Sequence, residues 1–138
     1  MWAATSPPVE RYIITIAAET EALARTAAAA LDDKKAVDVT LLDVHELLVI
    51  TDLFLIASGA TRRQVLGLVD AVEEALRGLD RRPLRREGEQ DAQWVLLDYG
   101  DLVVHVFDHP TRAYYDLERL WGDAPRLATG VSSVLTEG

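Results

Sequence analysis

The sequence contains no cysteine. Disulfides, thiolate metal sites and cysteine nucleophiles are therefore excluded, and no oxidising compartment is implied. Long hydrophobic runs are missing as well. Stretches such as Leu53 to Ala57 and Leu102 to Val104 fall far short of the ~20 residues that span a bilayer. Near the start, Tyr12 to Ala18 is apolar, but Glu19 and Glu21 follow and no cluster of basic residues leads into it, so it does not read as an export signal. The expected location is cytoplasmic, with no membrane contact. Positive charge is also scarce: 14 Lys and Arg stand against 23 Asp and Glu, a net charge of −9. That balance opposes direct recognition of nucleic acid, since phosphate contacts depend on clustered Lys and Arg. A macromolecular partner is expected to be basic. The three histidines, His45, His105 and His109, lie on separate segments with no short-spaced pair, so no metal site is expected, and no cofactor.

What is present fits one domain. A chain of 138 residues can bury most of the surface that its unfolded form exposes. No internal repeat is visible. The ends carry little pattern, Pro7-Pro8 at one and small polar residues at the other, so extensions at 1–14 and 124–138 are expected to fray around a domain at 15–123. Apolar positions Ile16, Thr20, Leu23, Ala24, Ala27 and Leu31 recur at helical spacing and predict a first helix. Val37 to Val44 and Leu53 to Ser58 read as buried strands, with a helical turn at His45 to Leu48. Thr61 and Gln64 have the spacing of a capping box. The helix they open would bury Val65, Leu68, Val69, Val72, Leu76 and Leu79, and end at Gly78 and Pro83. A short extended piece near Pro83 to Glu87 precedes two strand-like runs, Trp94 to Tyr99 and Leu102 to Phe107, joined by turn residues as a hairpin. A last helix from Pro110 or Thr111 would carry Tyr114, Leu117, Leu120 and Trp121 as far as Gly122. Parallel pairing across a helix and antiparallel pairing in the hairpin give a mixed sheet flanked by helices, an α/β or α+β fold.

Few constellations suggest catalysis. His105, mid-strand between Val104 and Val106, reads as a hydrogen-bonded structural histidine; a base would need a neighbouring nucleophile. Ile56 to Thr61 leads from strand to capped helix through Ser58-Gly59, a layout that can hold phosphate. A nucleotidyltransferase would also need paired carboxylates for magnesium. The nearest are Asp98 and Asp101, which would point oppositely on a strand unless the turn brought them together. Arg81, Arg82, Arg85 and Arg86 are the basic cluster, but Glu87, Glu89 and Asp91 follow at once, as in a solvated loop. Aromatic residues concentrate late: Trp94, Tyr99, Tyr114, Tyr115 and Trp121 are interleaved with Asp98, Asp101, Asp116 and Glu118. Aromatic anchors with a polar rim are the usual material of protein–protein hot spots.

Asp52-Leu53-Phe54, Ile56-Ala57-Ser58-Gly59, Arg63-Gln64-Val65, Glu87-Gly88, the block Trp94 to Phe107, Arg112, Tyr114-Tyr115, Leu117-Glu118 and Leu120-Trp121 together resemble the motif series of the iojap-like ribosomal silencing factors. The likeness runs from Thr20 to Ala124, and the Trp94 to Phe107 block is its most specific part. Departures are mild: Leu53 replaces a frequent aromatic, and His109-Pro110 alters the approach to the last helix. The resemblance implies a mixed sheet of nucleotidyltransferase-like topology without that fold's catalytic carboxylates, and no enzyme activity. It also implies binding to the large ribosomal subunit through its protein fourteen, on the face that meets the small subunit, so that joining is obstructed and translation damped when nutrients are scarce. The docking region expected on this basis is Trp94, Asp98, Tyr99, Asp101, Tyr114, Tyr115, Glu118 and Trp121. Two competing readings are a nucleotide-binding enzyme built on Ser58-Gly59 and Asp98/Asp101, and a homodimer closed by the aromatic patch.

Overall fold

The computed structural model describes residues 17–130. Along them run α1 (Ala18–Asp33), β1 (Val37–Asp43), β2 (Leu53–Gly59), α2 (Arg62–Arg77), β3 (Arg85–Glu87), β4 (Trp94–Asp98), β5 (Leu102–Asp108), α3 (His109–Tyr115), α4 (Leu117–Leu120) and β6 (Arg126–Leu127). Every residue of β2 is buried, as its unbroken apolar character requires of a strand covered on both faces. It pairs in parallel with β5 and antiparallel with β1. The six strands lie in the order β3-β4-β5-β2-β1-β6, and all pairs except β2–β5 are antiparallel. This is the expected mixed sheet.

The two faces of the sheet are covered unequally. On one, Leu23, Ala27 and Leu31 of α1 and Val65, Leu68, Val72 and Leu76 of α2 pack on Leu41, Leu55, Leu97, Val104 and Val106 in the main core. Each fully buried Leu or Val there contributes ~2 kcal/mol of apolar burial. On the other face a smaller cluster gathers Leu42, Val44, Phe54, Ile56, Phe107, Leu117 and Ala124, with Trp94 and Trp121 only partly buried against it. Among the described residues, the short α3 and α4, the segment after them and Leu48 of the β1–β2 connection overlie it.

Local chemistry explains the element ends. Thr61 Oγ1 accepts from the Gln64 amide at 3.0 Å, and Gln64 Oε1 accepts from the Ala60 amide at 2.6 Å, one residue earlier than a standard capping box places it. The Leu48 amide donates to the Val44 carbonyl at 2.8 Å, which makes the expected single turn. Between β3 and β4, Gly88 has φ +88° and lies so close to the Trp94 carbonyl that a Cβ would sit 2.0 Å from its oxygen. Only glycine fits there. In the β4–β5 turn, Gly100 takes φ +93°, and its amide donates to Asp98 at 2.8 Å.

The fold departs from the sequence reading in four places. α2 stops at Arg77, and Leu79 lies beyond the helix, half exposed. β1 is not buried throughout: Val37 and Asp38 are exposed, and its register slips between Val37 and Thr40, where Asp38 takes φ +49°. The last helix is two, broken at Asp116 in the left-handed region (φ 46°, ψ 60°); the break lets Leu117 enter the smaller core while Glu118 turns back toward α3. The boundary drawn at 124 falls inside the sheet, because Ala124 is buried and Arg126 and Leu127 pair with Leu42 and Leu41. The expected 1–14 extension lies outside the described residues.

Candidate functional site

Alternation along β4 and β5 builds the half-covered face. Trp94 pairs across the ladder with Phe107, and Leu96 with His105, so the indole, the imidazole and the Phe107 ring share one side. Trp94 stacks on Phe107 with ring centroids 5.0 Å apart, and Tyr115 of α3 lies 4.8 Å from Trp94. Tyr114 meets Tyr115 edge-on at 5.0 Å. Across the sheet, Phe54 contacts His105 at 4.7 Å and Trp121 at 5.7 Å, both edge-to-face. A connected row of rings thus crosses β4, β5 and β2. Its inner members are core, while Tyr114 is 81% and Leu120 69% exposed.

His105 fixes the centre of this row. It is 4% exposed, and burial pushes its pKa down to about 4, so at neutral pH the ring is uncharged. The Trp94 indole N–H donates to His105 Nδ1 at 3.1 Å. Because an indole nitrogen can only donate, Nδ1 is the acceptor and the imidazole proton resides on Nε2. Trp94 therefore spends its polar atom inside the protein, and what remains partly exposed is the flank of its ring.

Four expected docking residues, Trp94, Tyr114, Tyr115 and Trp121, come together on this face. Asp98 lies at the far end of β4 on the same side, accepting from Gly100 and from Arg85 at 3.5 Å. The structure places the other three differently, and Tyr99 is a correction. Tyr99 is 3% exposed and belongs to the main core on the helix-covered side, with its hydroxyl pKa raised by burial to about 12; it has no surface to offer. Asp101 turns to the helix side, where it accepts from Thr20 at 2.9 Å and pairs with Arg81 at 2.9 Å. Glu118 is drawn into an ion pair with Arg112. A strand's two-residue parity already separates Trp94 from Tyr99, five positions on; the ion pairs of Asp101 and Glu118 depend on partners that tertiary folding supplies.

The same geometry dismantles the enzymatic constellation. Asp98 and Asp101 face opposite sides of the sheet, so they do not form a shared magnesium site. Ser58 is buried, 3.2 Å from His109 Nδ1 and accepting from Arg112 at 3.3 Å. Three arginines of the basic cluster are neutralised: Arg81 by Asp101, Arg85 by Glu87 and Asp98, and Arg86 by Glu73 and Glu89. One surface feature escaped the sequence reading. Val49 and Ile50 are 101% and 83% exposed at the tip of the β1–β2 loop, although Leu48 beside them packs into the smaller core. An apolar pair with no periodic context gives no sequence signal that separates core from surface.

Comparison with known proteins shows the family. Residues 17–137 match the family model described as ribosomal silencing factor during starvation. The chain is 41% identical to the ribosomal silencing factor of Bacillus subtilis over 105 residues, covering 76% of this chain and 89% of that one. It is 44% identical to the factor of Halalkalibacterium halodurans over 103 residues, covering 75% and 88%. A crystal structure of a Chromobacterium violaceum protein superposes with a TM-score of 0.71 at 34% identity, covering 80% of this chain and 91% of that one. The names these relatives carry are those of a regulatory factor and not of an enzyme.

Proposed function

The chain belongs to the ribosomal silencing factor family, and from that premise we propose that it docks on protein fourteen of the large ribosomal subunit and blocks joining of the small subunit. The consequence would be repression of translation in the cytoplasm during starvation or stationary phase. The observation that carries this reading is the half-covered aromatic face, where Trp94, Tyr115 and Trp121 are anchored from beneath while Tyr114 and Leu120 project into solvent. Such rigid rings lose little side-chain entropy on binding and are typical interface anchors. Net charge of −9 favours a basic protein surface and repels the surrounding RNA phosphates, which would confine contact to the protein. The pairing of Arg81, Arg85 and Arg86 with carboxylates removes the cluster best suited to grip RNA. In the free chain the same face is available for a homodimer, which a scattering mass in the absence of ribosomes would reveal.

Co-sedimentation with purified large subunits tests the docking step. Tyr114→Ala and Leu120→Ser, at exposed positions, should each weaken pelleting about tenfold without loss of folded signal, as hot-spot truncation does. Trp94→Ala should weaken it further. Undiminished pelleting by all three would remove the face from the account.

A further inference from the structure

The aromatic face depends on a helix that the hydrophobic effect does not hold. α3 carries Tyr114 and Tyr115, yet none of its seven residues is buried. α4 contributes one buried residue, Leu117. Short exposed helices are marginal in water and need tertiary contacts to persist. Four contacts are available to α3: the Asp108 side chain caps it, accepting from the Thr111 amide at 2.9 Å; His109 Nδ1 lies 3.2 Å from Ser58 Oγ of β2; Tyr115 leans on Trp94; and Arg112 reaches into the sheet.

The Arg112 contact is far the most extensive. Its Nη1 donates to the Val37 carbonyl at 3.0 Å and to Ser58 Oγ at 3.3 Å. Its Nη2 donates to the Asp38 carbonyl at 2.7 Å and to Thr40 Oγ1 at 3.3 Å, and forms an ion pair with Glu118 of α4. The two side chains are only 11% and 17% exposed. The carbonyl acceptors lie where β1 slips register against β2 and Asp38 takes a positive φ, an irregularity that turns backbone oxygens toward the guanidinium. One planar fork thus ties β1, β2, α3 and α4 together.

We infer that Arg112 is a positioning residue of the docking face, acting through Glu118 and the β1 irregularity to hold α3 and α4 in the orientation that presents Tyr114, Tyr115 and Trp121. The inference rests on the docking reading above. A lysine cannot replace the fork, because a point charge does not span four acceptors and a carboxylate in one plane. The main core lies on the opposite face of the sheet, so loosening the clamp should open α3 and α4 locally while the strands stay closed.

The test pairs co-sedimentation with amide hydrogen exchange on the full chain and its Arg112→Met, Arg112→Lys and Glu118→Gln variants. Arg112→Met should pellet with large subunits at least tenfold more weakly than the parent. Its amides from Thr111 to Trp121 should exchange faster, with those of β2 and β5 unchanged. Arg112→Lys should fall between, and Glu118→Gln should raise exchange in α4 more than in α3. Parent-like binding by Arg112→Met overturns the inference. So does loss of protection throughout β2 and β5 in both Arg112 variants, because the residue would then support the whole fold. A parent chain that fails to pellet defeats the docking reading instead, and the exchange comparison still decides whether Arg112 holds α3.

Discussion

Two histidines in this protein titrate against opposite environments. His105 is buried and its pKa is pushed down to about 4. His45 is held above 6.5, chiefly by its hydrogen bond to Asp43. For His105 the unfolded chain takes up a proton that the folded chain refuses, so stability is lost as pH falls from 6.5 toward 4, by ~3 kcal/mol at most. For His45 the folded chain keeps a proton that the unfolded chain has released, so its contribution, complete below pH 6.5, is lost as pH rises through the elevated pKa. Urea midpoints measured across pH should lose the acid-side slope assignable to His105 in His105→Gln, which keeps an acceptor for the Trp94 indole. His45→Gln should lose the alkaline-side decline. An unchanged acid slope in His105→Gln would show that carboxylates alone set it. Much of the site was legible at this scale, since aromatic type and strand parity select Trp94. The strut beneath it was half legible: His105 reads as a structural histidine from its mid-strand position, but its bond to Trp94 requires the β4–β5 register.

Elements whose pattern is imposed by burial could be read directly. β2 is buried on both faces and apolar throughout, and α2 buries Val65, Leu68, Val69, Val72 and Leu76 at helical spacing behind a Thr61 cap. Elements shaped by distant partners could not. The left-handed Asp116 that divides α3 from α4 answers to the Arg112–Glu118 pair, and the two-residue β6 exists because β1 has a free edge at Leu41 and Leu42. Leu79 continues the helical spacing of α2, but the chain has already turned away to reach β3, with the Arg81 amide bonded back to the Leu76 carbonyl. The β3–β4 connection is the most tightly constrained of these elements. Gly88→Ala must push the backbone off the Trp94 carbonyl at a positive φ, a loss of ~2 kcal/mol or more. Thermal unfolding should show that loss, together with a changed Trp94 emission spectrum. A variant with parent-like stability and emission would mean that β3 can move aside freely.

At the scale of the whole molecule the two sheet faces divide the work. α1 and α2 close one face with the larger core and carry the stability, which leaves the other face free to hold partly covered rings. Under the proposed function, a small acidic module of this kind would need no chemistry to silence a large assembly; it would need only to occupy area that another subunit requires. If the proposed docking on a basic subunit protein holds, charge steering should make association, more than retention, sensitive to salt. The most direct measurement is a subunit-joining assay with purified small and large subunits on a sucrose gradient, with the chain in excess. The peak of joined particles should diminish with the parent chain and recover with Trp94→Ala or Tyr114→Ala. Full joining in the presence of a saturating excess of the parent chain would contradict the proposed function.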